Sequence, residues 1–322
     1  MLIIITGRNE NQIQILFNKI SKGFKRTTQD KSFKQFLGIQ IDETKNSMKL
    51  NQKKYIKTFM DEYFEDKIVK KSDIPMKSVT NYKLIKPDEN NPSILPITGR
   101  IRYCADKSRP DILYAINTIS TQANNPSEEF IEATIKLLKY LNTTVEDSLT
   151  LGGRDKVVKL FAYSDASYVT DGDSKSQLGN CFFLTRDSGA FYSVSKKDNT
   201  VSHSSTEAEI KAIDLCVRTI IYLRNLFYEI GYKQEEPTTV YIDNKSAKLL
   251  LETLKTSHKT KHMNMRINFL REQILNKIIK LVFVTTENQV ADIMTKALPR
   301  ILFEKFKNIL LYGFDNKNDN EI

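Results

Sequence analysis

Residues 157–167 read VVKLFAYSDAS, and this stretch decides the fold class of the second half of the chain. Apolar and polar residues alternate up to Ser164, as in a β-strand with one buried face, and Asp165 follows at the end of the run. Residues 240–247 repeat the arrangement, because VYI leads directly into Asp243. Acids at the carboxyl ends of neighbouring strands gather at one edge of a sheet. The sequence therefore predicts an acidic pocket built on two strands.

Two further acids lie in the first turns of predicted helices. Glu209 belongs to SSTEAEIKA and Asp292 belongs to ENQVADIMTK, and both segments begin with residues that open helices. Together with Asp165 and Asp243 they form a set of oxygen ligands without an accompanying Cys or His set. Such a set is typical of a site for hard divalent cations. The pattern predicts Mg²⁺ or Mn²⁺ and phosphoryl-transfer chemistry.

The helix that holds Glu209 contains a second acid, Glu207, and helical phase separates the two. Glu207 falls on a polar stripe with Lys211, Asp214 and Arg218. Glu209 falls on the apolar side with Ala212, Ile213 and Cys216. A carboxylate on a core-facing stripe is costly unless a cation pairs with it. We therefore expect Glu207 to be a solvated surface residue and Glu209 to be a metal ligand.

Composition is that of a chain that handles a polyanion. The 322 residues carry a net charge of +10, and 40% are apolar, which is enough to bury a core in each of about two domains. Charge alone does not decide, because many Lys-rich chains are merely soluble. Three cysteines without CxxC spacing argue against a disulfide framework and for a reducing compartment. The apolar run LIIIT is too short for a signal peptide or a membrane span.

The order of predicted elements indicates the architecture. The first half predicts a strand (2–6), a helix (11–22), a hairpin of two strands (36–42 and 47–51), a helix that ends at residue 63, and two later helices (97–121 and 128–141). Arg109 and Pro110 predict a break inside the first of the later helices. The second half predicts three strands, a long helix, a strand, one or two helices, a strand and terminal helices. This order predicts an α/β fold with a mixed sheet and helices on its faces.

Five motifs of the second half occur in the order found in one known family. They are YSDAS followed by GNCFFL, SVSKKDNTVSHSSTEAE, YIDNKSA, TSHKTKHMNMRINFLRE and VFVTTENQVADIMTKALPR. From about residue 156 to 314 the chain resembles the ribonuclease H domain of copia-type LTR retrotransposon Pol polyproteins. The resemblance implies a ribonuclease H-like mixed sheet flanked by helices. It also implies that the catalytic, metal-binding acids are Asp165, Glu209, Asp243 and Asp292.

Upstream residues resemble the reverse transcriptase of the same family. Residues 36–63 resemble the end of the palm and the start of the thumb, and residues 98–144 resemble the helical region before ribonuclease H. Residues 1–13 resemble the strand that follows the Tyr-Val-Asp-Asp palm motif, and the 322 residues contain no such motif. We expect a C-terminal piece of Pol with an incomplete palm, thumb and connection segment and without polymerase activity. Asp42 and Glu43 are expected to be surface residues of a hairpin turn rather than substitutes for the palm acids.

The expected segments follow from these matches. They are a residual palm with the thumb start (1–75), a linker (76–96), a helical thumb or connection region (97–150), a ribonuclease H-like domain (154–314) and a disordered tail (315–322).

The resemblance implies a reaction and its partners. Two Mg²⁺ or Mn²⁺ ions about 3.5–4 Å apart are expected to support hydrolysis of the RNA strand of an RNA/DNA hybrid. The expected partners are the hybrid and other Pol or Gag-Pol products, with no membrane and no small-molecule cofactor. The expected location is the cytoplasm, in a virus-like particle, or the nucleus. The alternative is a non-catalytic Pol remnant that binds nucleic acid or has no function.

Several residues near these motifs are candidates for contacts with nucleic acid. They are Ser205, Asn244, Lys196, Lys197 and Lys261. Each has a second interpretation, because Ser205 and Asn244 are also helix-capping residues and the lysines are also ordinary solvated residues. His258 and His262 have a spacing compatible with zinc. No third ligand accompanies them, so we expect a role in phosphate contact or packing instead.

Overall fold

The computed structural model describes residues 9–24, 34–64, 70–78, 86–154, 157–168, 175–253 and 263–314. The predicted strand at 2–6 and the predicted tail at 315–322 lie outside the described residues. The chain divides into two compact units, Met1–Lys34 and Gln35–Ile322. Nothing in this division tests the predicted segment boundaries, which stay predictions.

The first unit contains helix α1 (Glu10–Ser21). The helix begins after Asn9, whose side-chain oxygen accepts a hydrogen bond from the backbone N–H of Asn11 at 3.0 Å. An N-cap of this kind satisfies one of the donors that the first turn leaves free. The amphipathic helix predicted at 11–22 is thus confirmed.

A small antiparallel sheet opens the second unit. Its strands, in spatial order, are β1 (Gln35–Phe36), β2 (Ile39–Glu43), β3 (Ser47–Asn51) and β4 (Leu149–Gly152). The prediction of one continuous strand over 36–42 was wrong. Leu37 and Gly38 have φ angles of 47° and 78°, and two such residues form a tight turn that reverses the chain before β2. Asp42 and Glu43 are exposed near the hairpin turn, as predicted.

The described residues between β3 and β4 form four α-helices. They are α2 (Lys53–Phe64), α3 (Leu95–Lys107), α4 (Leu113–Ser120) and α5 (Glu128–Thr143). The predicted break at Arg109 and Pro110 is confirmed, because α3 ends before it and a short 3-10 helix, Pro110–Ile112, leads into α4. A proline interrupts the helical hydrogen bonding at this point.

A mixed five-stranded sheet forms the second half of the unit. In chain order its strands are β5 (Phe161–Ser167), β6 (Lys175–Phe183), β7 (Tyr192–Val201), β8 (Thr238–Ile242) and β9 (Ile279–Phe283). The spatial order is β7-β6-β5-β8-β9. The three strands from β5 to β7 pair antiparallel, whereas β8 and β9 add in parallel.

Helices cover both faces of this sheet, which confirms the predicted fold class. On one face lie α6 (Ser205–Glu229), α7 (Lys245–Glu252) and α8 (Asn264–Leu275). Their shared core includes Ala162, Phe182, Ile213, Val217, Val240 and Leu270. On the other face lie α9 (Arg300–Tyr312) and the helices α3 to α5. Their shared core includes Ile116, Leu137, Phe161, Tyr163, Phe183 and Phe306.

A buried ion pair ties the break between α3 and α4 to the end of α5. Arg109 is 1% exposed, and its guanidinium donates to both carboxylate oxygens of Asp111 at 2.9 and 2.8 Å. The Tyr140 hydroxyl donates to the same carboxylate at 2.6 Å, and two guanidinium nitrogens donate to Thr144. Burial alone would raise the pKa of Asp111, but the Arg109 charge holds that pKa below its ordinary value. Every charged group in the network therefore has a partner.

Cys104, Cys181 and Cys216 are all buried and free. Among the described residues, no helix combines the length and the apolar character that crossing a bilayer requires.

Replacing Asp111 with Asn should destabilise the fold strongly. The substitution keeps the shape of the side chain but leaves the Arg109 guanidinium buried without a counter-charge, which costs about 3–5 kcal/mol. The measurement is the free energy of unfolding from a urea titration. Asp106→Asn is the matched control, because it breaks an exposed pair with Arg102 and should cost less than about 1 kcal/mol. Equal losses in the two variants would contradict the expectation.

Candidate active site: an acidic cluster at the sheet edge

Two of the predicted acids lie just beyond the last paired residues of the parallel strands β5 and β8. The last paired residues are Tyr163 and Tyr241. Asp165 lies two residues beyond the first, inside β5, and Asp243 lies two residues beyond the second, directly after β8. Both side chains therefore reach the same edge of the sheet, as the sequence predicts.

Glu209 completes a cluster of three from the helix above the sheet. One carboxylate oxygen from each of Asp165, Glu209 and Asp243 lies within 4.8 Å of the others. The expected packing of the Glu209 side of α6 is confirmed, because Ala212 and Ile213 are fully buried. Glu209 itself is 6% exposed, and its Oε2 atom has no hydrogen-bond partner.

The expectation that Glu207 is a solvated surface residue was wrong. Glu207 is 5% exposed, and its Oε2 accepts a hydrogen bond from the backbone N–H of His203 at 2.8 Å. Lys211 is also buried and lies 3.5 Å from Glu207 and 2.9 Å from Asp198. The Lys211 ammonium donates further to the Val201 carbonyl at 3.0 Å. The end of β7 covers this side of α6, so Glu207 and Lys211 belong to an internal network, whereas Arg218 on the same stripe is exposed.

Asp292 lies beside the cluster rather than in a helix that begins at Glu287. The connection between β9 and α9 contains two 3-10 helices, Thr286–Asn288 and Val290–Met294, and Asp292 belongs to the second. Its Oδ2 atom forms an ion pair with Lys296 at 2.9 Å. The structure thus joins three of the predicted acids directly and pairs the fourth with a lysine.

Burial and mutual repulsion disfavour the charged form of these acids. Burial raises the pKa of Glu209 well above its ordinary value, and Asp165 and Asp243 raise it further. Burial also raises the pKa of Asp165, although Lys296 opposes this effect. Burial and the Asp165 charge raise the pKa of Asp292 to about 7. A cluster of this kind takes up either protons or cations.

The residues present fit a divalent metal ion. The donor set consists only of carboxylate oxygens, which hard cations such as Mg²⁺ and Mn²⁺ prefer. The unpartnered Oε2 atom of Glu209 is an orphaned acceptor that a cation would satisfy. Asp165, Glu209 and Asp243 would hold the ion, and Asp292 stands next to them.

Two of the candidates for nucleic-acid contact lie at the starts of helices. Ser205 is exposed at the first residue of α6, while the neighbouring Ser204 caps the helix. Asn244 caps α7 and accepts a hydrogen bond from the Ala247 N–H at 2.8 Å, so the capping interpretation is confirmed.

The basic candidates lie on the edge strand or outside the described part. Lys196 and Lys197 lie in β7, where Lys196 is exposed. Lys261, His258 and His262 lie outside the described residues. Contact of any of these residues with nucleic acid stays a prediction.

Sequence reasoning missed the residues that hold the acids in place. Thr295 donates its hydroxyl hydrogen to Asp165, and Thr286 donates to Asp243 at 3.0 Å. Gly179 pairs with Asp165 in the sheet, and a Cβ there would lie 2.6 Å from the side chain of Thr295. A glycine inside a strand indicates a close approach of another segment. Gly179 is therefore the residue from which the sequence could have predicted that a segment packs closely on β6.

Removing Asp292 should change how stability depends on pH. The unfolded chain loses this proton near pH 4, whereas the folded chain keeps it to about pH 7. The folded state therefore binds more protons in that window, and the free energy of unfolding falls as pH rises through it. Urea titrations in EDTA from about pH 5 to 8 should show a shallower decline for Asp292→Asn than for the wild type. Equal slopes would contradict the expectation.

Gly179→Ala should push the 3-10 helix of Asp292 off the sheet. The new Cβ would lie 2.6 Å from Thr295 Cγ2 and 2.7 Å from Met294 Cβ, and overpacking of this kind costs about 1–3 kcal/mol. Thermal or urea unfolding measures the loss. Gly99→Ala is the matched control, because no atom lies within 4 Å of its new Cβ. Since Gly99 is in helix α3, that control should keep or raise stability.

Comparison with known proteins identifies relatives along nearly the whole chain. No protein-family model matches. The Retrovirus-related Pol polyprotein from transposon TNT 1-94 of Nicotiana tabacum is 32% identical over 321 residues, which cover 96% of this chain and 24% of the relative. That from transposon RE1 of Arabidopsis thaliana is 29% identical, covering 94% of this chain and 20% of the relative. The Ty1-JR2 Gag-Pol polyprotein of Saccharomyces cerevisiae is 29% identical over 219 residues, covering 66% and 12%.

Solved structures give weaker likenesses. LC11-RNase H1, isolated from compost by a metagenomic approach, has a TM-score of 0.34 at 11% identity and covers 42% of this chain and 92% of its own. The foamy viral protease-reverse transcriptase in complex with RNA/DNA hybrid has a TM-score of 0.37 at 13% identity and covers 78% of this chain and 29% of its own. The strand order and register, not these scores, define the fold described above.

The chain spans about a quarter or less of the length of the curated relatives that it matches. Within that part the similarity runs through both the helical segment and the mixed sheet. The resemblance predicted from the motifs is confirmed, and the chain is related over nearly all its length to the Pol polyproteins of copia-type retrotransposons.

Proposed function

We propose that this chain is a metal-dependent ribonuclease H that hydrolyses the RNA strand of RNA/DNA hybrids. The observation that carries the proposal is the cluster of Asp165, Glu209 and Asp243, with carboxylate oxygens within 4.8 Å of one another. Its position at the carboxyl edge of a mixed sheet, in a relative of Pol polyproteins, supports a nuclease over a structural site. Two Mg²⁺ or Mn²⁺ ions bound there would activate water and stabilise the leaving oxygen.

The four predicted acids would bind two different metal ions. Asp165, Glu209 and Asp243 are close enough to share one ion, and Asp292 would contribute to a second beside Asp165. Lys296 balances part of the charge, because its ammonium interacts with Asp165 and Asp292. The site would thereby keep its carboxylates close together before any ion binds.

Substrate binding would rest on charge and shape. The net charge of +10 favours a polyanion, and phosphate contacts give an affinity that falls steeply with salt. Polar contacts to 2′-hydroxyl groups would distinguish the RNA strand. Ser205, Asn244, Lys196, Lys197 and Lys261 are the proposed contacts. Because the 322 residues contain no Tyr-Val-Asp-Asp motif, we propose that this chain alone does not copy a template.

The test is cleavage of an RNA/DNA hybrid with each strand labelled in turn. The full chain should cut only the RNA strand and only with Mg²⁺ or Mn²⁺. Asp243→Asn should lower the rate by about a hundredfold or more, because even partners outside the ligand shell are worth up to that much. Asp42→Asn is the matched control, since Asp42 is an exposed acid bonded to Asn51, and it should cut like the wild type.

Two results would count against the proposal. Cleavage that persists in EDTA would exclude the metal-dependent mechanism. Hybrid binding without cleavage by the folded wild type would instead favour the non-catalytic Pol remnant that binds nucleic acid.

A further inference from the structure

Two of the clustered acids accept a hydrogen bond from a threonine on the same connection. Thr286 Oγ1 donates to Asp243 Oδ2 at 3.0 Å, and Thr295 Oγ1 donates to Asp165 Oδ2. Both threonines belong to the segment between β9 and α9, one on each side of Asp292. We call residues 286–295 the threonine clasp.

The clasp is itself fixed at several points. Lys305 in α9 donates to the Glu287 carbonyl at 2.8 Å and to Asn288 Oδ1 at 3.0 Å. The Gln289 side chain donates to the Ser164 carbonyl at 3.0 Å, next to Asp165 in β5. At the other end, the Ser195 hydroxyl donates to the Met294 carbonyl at 2.6 Å, next to Thr295. Both ends of the clasp are therefore held in place by contacts that do not involve the clustered acids.

A hydroxyl donor fixes a carboxylate in a way that an apolar neighbour cannot. The donor occupies one oxygen and sets the rotation of the carboxylate plane, while the second oxygen remains for another partner. Residues that bind metal ions are commonly oriented by such outer hydrogen bonds, which strengthen binding. Thr295 is 1% exposed, so its hydroxyl is placed there at the cost of removing a polar group from water.

We propose that Thr286 and Thr295 are positioning residues that orient Asp243 and Asp165 for a divalent metal ion. The inference rests on the metal-binding role proposed above for these acids. It adds that the clasp prepares the carboxylates in the free protein. Loss of either hydroxyl should therefore weaken metal binding without removing a ligand.

The test measures Mn²⁺ affinity of the full chain by isothermal titration calorimetry and by the loss of the free-ion EPR signal. Thr286→Val keeps the shape of the side chain and removes the donor, so we expect affinity to fall about 10–100-fold. Thr286→Ser keeps the donor and should restore most of the affinity. Thr286 is exposed, so this pair should fold like the wild type, which thermal unfolding in EDTA checks.

Thr295→Val and Thr295→Ser provide the second pair, at a buried position where the Ser variant controls for packing. Thr121→Val is the control for losing a threonine hydroxyl elsewhere, because Thr121 is exposed and bonds only a nearby carbonyl in the described structure. It should bind Mn²⁺ like the wild type.

The outcomes separate this inference from the proposed function. Wild-type affinity in the folded Thr286→Val and Thr295→Val variants would overturn the positioning role while leaving the ribonuclease proposal intact. Absence of Mn²⁺ binding by the wild-type chain would overturn both. Weakened binding in the Val variants with recovery in the Ser variants supports the inference, whether or not the protein cuts a hybrid.

Discussion

Carboxylates that share a buried pocket repel one another, and the arrangement of this fold around Asp165 and Asp243 is shaped by that repulsion. The parallel ladder of β5 and β8 brings the two acids to one edge. Burial raises the pKa values of Asp165 and Glu209, and the neighbouring acids raise them further. A pocket under such strain persists only if the elements that deliver the acids are fixed by other contacts.

The helical half of the chain contributes to that fixation. The Asn117 side chain in α4 donates to the Ser195 carbonyl in β7 at 2.6 Å, and the Ser195 hydroxyl donates to the Met294 carbonyl at 2.6 Å. Met294 ends the 3-10 helix that contains Asp292. From the opposite side, the missing side chain of Gly179 lets that helix lie directly on the sheet. The segment with Asp292 is thus held between α4 and β6, so the helices before the mixed sheet are part of the structure that supports the site.

Sequence patterns predicted the parts of the site that depend on local geometry. Strand alternation placed Asp165 and Asp243, helical phase placed Glu209 on the buried side, and Pro110 marked the end of α3. The turn at Leu37 and Gly38 is a local error, whereas the errors and omissions at the site concern contacts between distant segments. Glu207 looked exposed because the pattern of α6 alone does not show that the end of β7 covers it. Thr286 and Thr295 carry no periodic signal, and only the folded connection brings their hydroxyls to the acids.

Glu207 and Glu209 in α6 show that the lack of a compensating cation is specific to the position of Glu209, because the same helix supplies a cation to Glu207. Glu207 is as buried as Glu209, yet it has Lys211 as an ion-pair partner and the His203 N–H as a donor. Two residues further along the helix, Glu209 keeps an oxygen without a hydrogen-bond partner and faces other acids. The same helix therefore compensates one buried carboxylate and leaves the next undercompensated. An uncompensated buried charge is costly, so Glu209 takes up either a proton, as its raised pKa indicates, or a cation, which is the role that we propose for it.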